Sequence, residues 1–544
     1  MPVRISRYTG MLGAVALAVA GYLGGALPHA DLRSTVPSIL GQPRTAGAVA
    51  LFVTGVALLS WSWLRLAPVT RAGAGARDLT ARAGAPDLAA GAVAETRGGR
   101  VRSGVAALSV RWVLVTAGLW ALPLLLAPPL ASRDAYAYAC QGATYAAGRS
   151  PYAEGVAALP CPWVDTVSFI WRDTPAPYGP GFVVLAGAAA ALAGGSLFAA
   201  IGWLRLVALA GALLIAWRVP ALARACGTDP GRALWLGLAA PLVGIHLVSG
   251  AHNDGLMIGL VVAGLGAAVA REPVTAAGTV AGRSGAAGFG TGWWRGVLVV
   301  GALLGLALAI KVTAVVVLPF AALLLAGPLR RPTVTRVFAV AAALAVVAAA
   351  VLGLVSLATT LGFGWVDGLA SSGDSRQWTS LPTGVGFAID YLFLPPGHTS
   401  VPVTRAVGIA VLAVVLVVLF LRTANWLPRR GPGGLPHGES EGLDRTRRIV
   451  AAAGWALGCT VLLAPVFHPW YALWPLTLLA VADWRRWLGW VATALAFLVL
   501  PDGFNLARVT KLPGALLMLA LALFLLWRMF RLWRTRQAPG SPPA

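Results

Sequence analysis

Charge is scarce in this chain. Only 11% of its 544 residues are Asp, Glu, Lys or Arg, while 58% are hydrophobic. A soluble protein of this length needs far more charge to cover its surface, so composition excludes that class and leaves a membrane protein. Lysine is almost absent, at Lys311 and Lys511 only. Cysteine is rare too. Cys140, Cys161, Cys226 and Cys459 are too few for a disulfide scaffold, and none falls in a CxxC or Cys/His cluster. The six histidines are scattered, so a structural zinc site is not expected; no obligatory metal is expected either, though Asp134 and Asp254 could bind one if adjacent. No internal repeat is visible, which argues against a transporter built from repeated halves.

Apolar segments run from end to end. The net charge of +23 would suit a nucleic-acid binder. The arginines, however, lie in short loops between apolar segments rather than on one face or in one tail, so no nucleic-acid partner is expected. That distribution is the positive-inside signal. About fourteen spans are predicted, near 10–28, 46–66, 107–129, 201–219, 232–250, 254–270, 296–310, 312–327, 334–357, 402–422, 449–466, 469–483, 486–501 and 512–530. The fold class is therefore an all-α polytopic membrane protein. Its expected parts are an N-terminal transmembrane pair (1–66), a cytoplasmic linker (67–106), a transmembrane core (107–422), a second cytoplasmic linker (423–448), C-terminal transmembrane helices (449–533) and a cytoplasmic tail (534–544). Both termini are then inside, in an inner membrane.

Residues 180–198 are apolar enough to span, but a span there would turn Arg218, Arg224 and Arg232 outward. A juxtamembrane or re-entrant segment on the outer face keeps the arginine rule. Residues 4–30 resemble a signal peptide. An uncleaved first helix is preferred, because a second span follows at once. Cys140 and Cys161 share the first outer loop, where a disulfide can persist; the sequence leaves that pairing open.

The two long outer loops, 130–200 and 358–401, mix carboxylates, arginines and aromatics, a mixture that suits sugar recognition. The competing reading of the aromatics is an interface belt. Asp134 follows a span, beside Arg133 and ahead of Tyr136 and Tyr138. A carboxylate near apolar surface can hold a raised pKa and act as a general base; an Arg–Asp pair ending a helix is the alternative. Glu154, Asp165 and Asp173 are rivals in the same loop. In GAHNDGLM (250–257), turn chemistry accounts for Asn253 and Gly255 but not for His252 and Asp254. In FHPWYALWPL (467–476), His468 and Trp470 sit at an outer turn. Lys311 interrupts an apolar run, where it should meet an anion such as a lipid phosphate or else snorkel to the interface.

SRDAYAYACQG, YGPGF, GAHNDG and FHPWYALWPL, in that order, resemble the GT-C superfamily of membrane glycosyltransferases. More closely, they are similar to actinobacterial polyprenyl-phosphomannose-dependent alpha-1,6-mannosyltransferases, which build the mannan core of lipomannan and lipoarabinomannan. The likeness covers roughly residues 100–510. It implies a GT-C-like bundle of about 13–14 transmembrane helices with juxtamembrane helices in the first outer loop. The donor would be a polyprenyl-phosphate mannose, the acceptor a glycolipid, and the active site extracytoplasmic. Asp134 would be the base in an inverting displacement and Asp254 the second acidic residue. His252, Lys311 and His468 would line the cavity, with Arg133, Tyr136, Tyr138, Tyr178, Asn253 and Trp470 as further substrate contacts. Asp374, Arg376 and Trp378 in the second loop are candidates without a motif. Rival readings are another GT-C transfer (arabinofuranosyl or protein O-mannosyl) and a lipid or sugar transporter.

Overall fold

A computed structural model of the chain describes residues 2–28, 35–66, 108–159, 161–270, 291–327, 333–371, 373, 375–427 and 440–537. The linker expected at 67–106 and Asp374 lie outside them. Among the described residues there is no β-strand, only an isolated bridge between Val499 and Asn505. All fourteen apolar segments carry helix, as they must where lipid offers the backbone no hydrogen-bond partner.

The helices differ in reach. Pro43–Leu66, Leu197–Ala225, Trp293–Ile310, Val334–Ala358, Val401–Thr423, Leu443–Leu463 and Lys511–Arg531 are each long and apolar enough to cross a membrane. Val243–Ser249 and Asp254–Val269 make a further span only as a pair bent by 106°. Val110–Leu126, Pro180–Leu192, Val312–Leu325, Leu381–Phe393 and Pro469–Ala482 are shorter apolar helices. Pro180–Leu192, at about 1.5 Å per residue, reaches roughly 20 Å, short of a 30 Å hydrocarbon core. It stops where Gly194 and Gly195 take positive φ, before the next helix starts at Leu197. Helix begins again at Ser440, so part of the stretch expected as the second linker is helical, and the last helix runs to Gln537, past the expected start of the tail.

Two features anchor the first outer loop. Arg205, buried within the helix Leu197–Ala225, donates to the carbonyls of Leu125 (2.7 Å), Ala127 (2.7 Å) and Ser249 (3.1 Å). These carbonyls belong to chain ends that lack helical partners, and satisfying them makes a buried guanidinium tolerable in apolar surroundings. The clamp ties the start of the loop to the bend before Asp254. The second anchor is the helix Asp134–Ala146, which packs across Pro180–Leu192. A Cβ at Gly142 would collide with the backbone carbonyl of Ala186, so only glycine allows this crossing. Cys140 and Cys161 are disulfide-bonded, which resolves the pairing left open by the sequence.

Gly142→Val should therefore separate the two juxtamembrane helices. Overpacking of this kind costs about 1–3 kcal/mol. The expected outcome is a lower midpoint in a detergent-solubilised thermal melt, with Gly118→Val, where nothing lies within 4 Å, unchanged.

Candidate active site

Asp134 opens the helix Asp134–Ala146, and its backbone N–H donates to Ser132 Oγ at 3.1 Å. Asp254 opens Asp254–Val269. Each is preceded, three positions earlier, by an alanine in the left-handed region: Ala131 at φ 57° and Ala251 at φ 53°. An L residue enters that region at a cost of about 1–2 kcal/mol, so the surrounding packing imposes both turns. The segment before Asp254, Val243–Ser249, is π-helical; such wide turns occur disproportionately at functional sites.

The loop and the bend meet through histidine. His252 Nδ1 lies 3.7 Å from Asp134 Oδ2 and 3.3 Å from the Tyr138 hydroxyl. Its ring stacks on Trp470 with centroids 4.0 Å apart, and His468 stacks near Trp470 at 4.7 Å and 4°. Trp470 is thus shared by two imidazoles from separate parts of the chain. Behind this stack lies a buried ion pair. Lys311 Nζ stands 2.8 Å from Asp254 Oδ1, which also accepts from Trp474 Nε1 at 2.6 Å. Lys311 sits at the break after Thr291–Ile310, 4.4 Å from the Tyr471 ring. The YGPG segment closes on that break: Gly179 N–H donates to the Ile310 carbonyl at 3.1 Å.

A cavity of about 520 Å³ opens over Asp134. Arg133, Trp171, His468 and Trp470 line it, with Arg376, Gln377, Asn505, Arg508 and Lys511 contributed by the second outer loop and the C-terminal region. Asp134 is held in the juxtamembrane helix, outside the spanning segments. Burial pushes its carboxyl up to about 7, opposed by Lys311 and reinforced by Asp254. A carboxyl raised in this way has the chemistry a general base needs.

The residues expected from the sequence divide into three groups. Asp134, Arg133, His468, Trp470 and Arg376 line the cavity. His252, Tyr138, Asn253, Asp254 and Lys311 are buried directly behind that wall rather than on it. Lys311 is already paired with Asp254, so the expected lipid phosphate is not what balances its charge. Tyr136 and Tyr178 hold structure. The Tyr136 hydroxyl donates to the Ala26 carbonyl, and the Tyr178 carbonyl accepts from the Tyr152 hydroxyl at 2.8 Å while its ring packs on Tyr138 and Phe182. Even Arg133 spends hydrogen bonds on the carbonyls of Leu27 (3.1 Å) and Thr166 (3.3 Å). Among the rivals, Glu154 forms a double hydrogen bond with Arg149, at 2.6 Å each, and Asp165 lies 3.8 Å from Arg172; neither they nor Asp173 reach the cavity. Trp378 donates to Thr510 Oγ1 at 3.1 Å. Trp171, Trp474, Arg508, Asn505 and Gln377 were not singled out from the sequence. Among the described residues no group of three or more His, Cys, Asp or Glu could hold a metal ion.

A family model described as alpha-(1->6)-mannopyranosyltransferase, N-terminal domain, matches residues 7–327. The chain belongs to this family. It is a mannosyltransferase, and a second model, the MptB C-terminal domain, matches residues 441–528. A probable alpha-(1->6)-mannopyranosyltransferase of Mycolicibacterium smegmatis is 30% identical over 569 residues, covering 100% of this chain and 92% of that protein. Alpha-(1->6)-mannopyranosyltransferase A of Mycobacterium tuberculosis is 34% identical over 402 residues, covering 71% and 69%. Alpha-(1->6)-mannopyranosyltransferase B of Corynebacterium glutamicum is 30% identical over 460 residues, covering 80% and 70%. No solved structure matches the chain. The two family segments both reach the cavity, since Asp134 lies in the first and Arg508 and Lys511 in the second.

Removing one member of the buried pair in this mannosyltransferase leaves the other charge uncompensated, which costs about 3–5 kcal/mol. Asp254→Asn and Lys311→Met should each lower the thermal midpoint strongly, and the double variant should recover part of the loss. Additive losses would show that the two side chains do not compensate each other.

Proposed function

We propose that the protein transfers mannose from a polyprenyl-phosphate mannose to a glycolipid acceptor, forming an alpha-1,6 linkage on the outer face of the cell membrane. The observation that carries this reading is the place of Asp134 on the wall of an aromatic and cationic cavity, where burial pushes its carboxyl up to about 7. The relatives' names give the linkage and the sugar. The apolar helices around the cavity suit a donor that remains in the bilayer. Product of this kind is the mannan core of lipomannan and lipoarabinomannan.

In the reaction, Asp134 takes the proton from the acceptor's 6-hydroxyl as its oxygen attacks the anomeric carbon. The carbon–oxygen bond to phosphate breaks, and its electron pair leaves with the polyprenyl phosphate. A beta-linked donor gives an alpha product, so one displacement with one base suffices. Trp171 offers a ring to the apolar side of a pyranose, while Trp470, stacked between His252 and His468, forms part of the rigid wall. His252 stands behind Asp134, and the Tyr138 hydroxyl in turn meets the His252 ring. Asp254, through Lys311 and Trp474, fixes the bend on which His252 rides.

Membranes containing the protein, given labelled polyprenyl-phosphate mannose, should put label into lipid-linked oligomannoside rather than protein. Asp134→Asn should reduce transfer by at least about 100-fold, the low end for a general base, with unchanged expression. Wild-type kcat/KM should rise with pH through about 7: the active form is the carboxylate, and its fraction falls about tenfold per unit below that point. Substantial activity in Asp134→Asn, or a flat profile from pH 5 to 8, would remove it as the base.

The outer location has a separate check. In intact cells Cys140 and Cys161 should resist maleimide until a membrane-impermeant reductant is added, and both should then be labelled. Labelling without reduction, or only after permeabilisation, counts against an oxidised outer loop.

A further inference from the structure

Cations at the cavity outnumber acids. Arg133, Arg376, Arg508 and Lys511 line it, and Asp134 is the only Asp or Glu among the described lining residues. Arg133 is tied to two carbonyls, which leaves three cations to account for. Their backbones are held together by design of the fold. Asn505 Nδ2 donates to Gln377 Oε1 at 2.7 Å, and Trp378 Nε1 donates to Thr510 Oγ1 at 3.1 Å, so the second outer loop is pinned to the segment 505–511 at the two residues that follow Arg376. Arg405 secures the same loop from below, donating to the carbonyls of Gly373 (2.6 Å) and Ser375 (2.9 Å). The Arg508 guanidinium rests 5.4 Å from the Phe504 ring and 5.8 Å from that of Phe169. Lys511 starts the helix Lys511–Gln537, whose N-terminal dipole adds positive potential. Among the described residues, an acid within electrostatic reach of Arg376 is Asp390. Its carboxylate already accepts from Ser400 N–H (2.6 Å), Ser400 Oγ (2.7 Å) and Thr399 Oγ1 (2.9 Å).

We propose that Arg376, Arg508 and Lys511 form the binding site for the phosphate of the lipid-linked donor, so that the C-terminal region supplies the leaving-group site and the N-terminal region the base. This rests on the donor reading above. Like charges gathered around one cavity repel unless an anion joins them. The donor's phosphodiester carries one negative charge; the polyprenyl phosphate that departs is a monoester approaching two. A site of several cations binds the second form more tightly and so favours departure. Lys311, compensated by Asp254, is not needed for this.

The test compares full-length wild type, Arg508→Ala, Lys511→Gln and Arg508→Lys in vesicles of fixed composition. Donor KM, acceptor KM and inhibition by sugar-free polyprenyl phosphate are measured for each. Arg508→Ala and Lys511→Gln should raise donor KM and weaken that inhibition by about tenfold or more, the loss expected for one charge-assisted hydrogen bond. Acceptor KM should stay unchanged, and Arg508→Lys should restore part of the loss. Unchanged donor KM and inhibition in both neutral variants would overturn the assignment while leaving the donor reading intact. An equal rise in both KM values would make the role structural and also overturn it. If activity instead follows the phosphatidylglycerol content of the vesicles at constant donor KM, the cations serve the membrane surface and the assignment falls. Failure of wild type to use polyprenyl-phosphate mannose at all would remove the donor reading, and this site with it.

Discussion

Asp254 and Lys311 meet at 2.8 Å in a chain that has almost no charge to spare. An isolated ion in apolar surroundings is costly, and either of these alone would be driven toward water or neutrality. Paired, they lock three separate parts of the chain: the bend after Val243–Ser249, the break after Thr291–Ile310, and, through Trp474, the FHPWYALWPL segment. That last link places Trp470 between His252 and His468, and His252 in turn backs Asp134. The position of Asp134 is thus inherited from a salt bridge that does not itself face the cavity.

Much of this was legible in the sequence because polar groups are conspicuous against apolar background. The motifs around Asp134, His252–Asp254, Lys311 and His468 each broke a hydrophobic run, and the structure brings all four together. The helix class followed from hydropathy, and the helix within 180–198 proves too short to cross a hydrocarbon core unaided. Roles were harder to read than locations. Arg133, Tyr136 and Tyr178 have the right chemistry for a sugar contact, yet their polar groups satisfy backbone or hold neighbouring rings, a use that no one-dimensional pattern distinguishes. Arg205 went unnoticed for a related reason: its partners are carbonyls, which every residue has. Asn505, Arg508 and Lys511 lie more than 360 positions from Asp134 in the sequence, so nothing local connects them to it.

The division of labour between chain regions follows from that distance. The first loop is braced by the disulfide and by the close crossing at Gly142, and it is joined to the second where the Tyr145 hydroxyl donates to the Thr359 carbonyl at 3.1 Å and Tyr152 and Ala176 pack with Leu361. The second loop and the segment 505–511 brace each other through Asn505, Gln377, Trp378 and Thr510. Both loops contribute side chains to the same cavity, the first Asp134 and the second Arg376 and Gln377.

The paired left-handed alanines before Asp134 and Asp254 carry a consequence for how this sequence can drift. Neither methyl group touches a reactant in any step described here, yet both backbones sit where branched side chains fit worst. Exchange for glycine is tolerable at these two buried positions; valine, isoleucine or threonine is not. Purifying selection should therefore weigh on Ala131 and Ala251 almost as heavily as on the acids they introduce, through geometry alone.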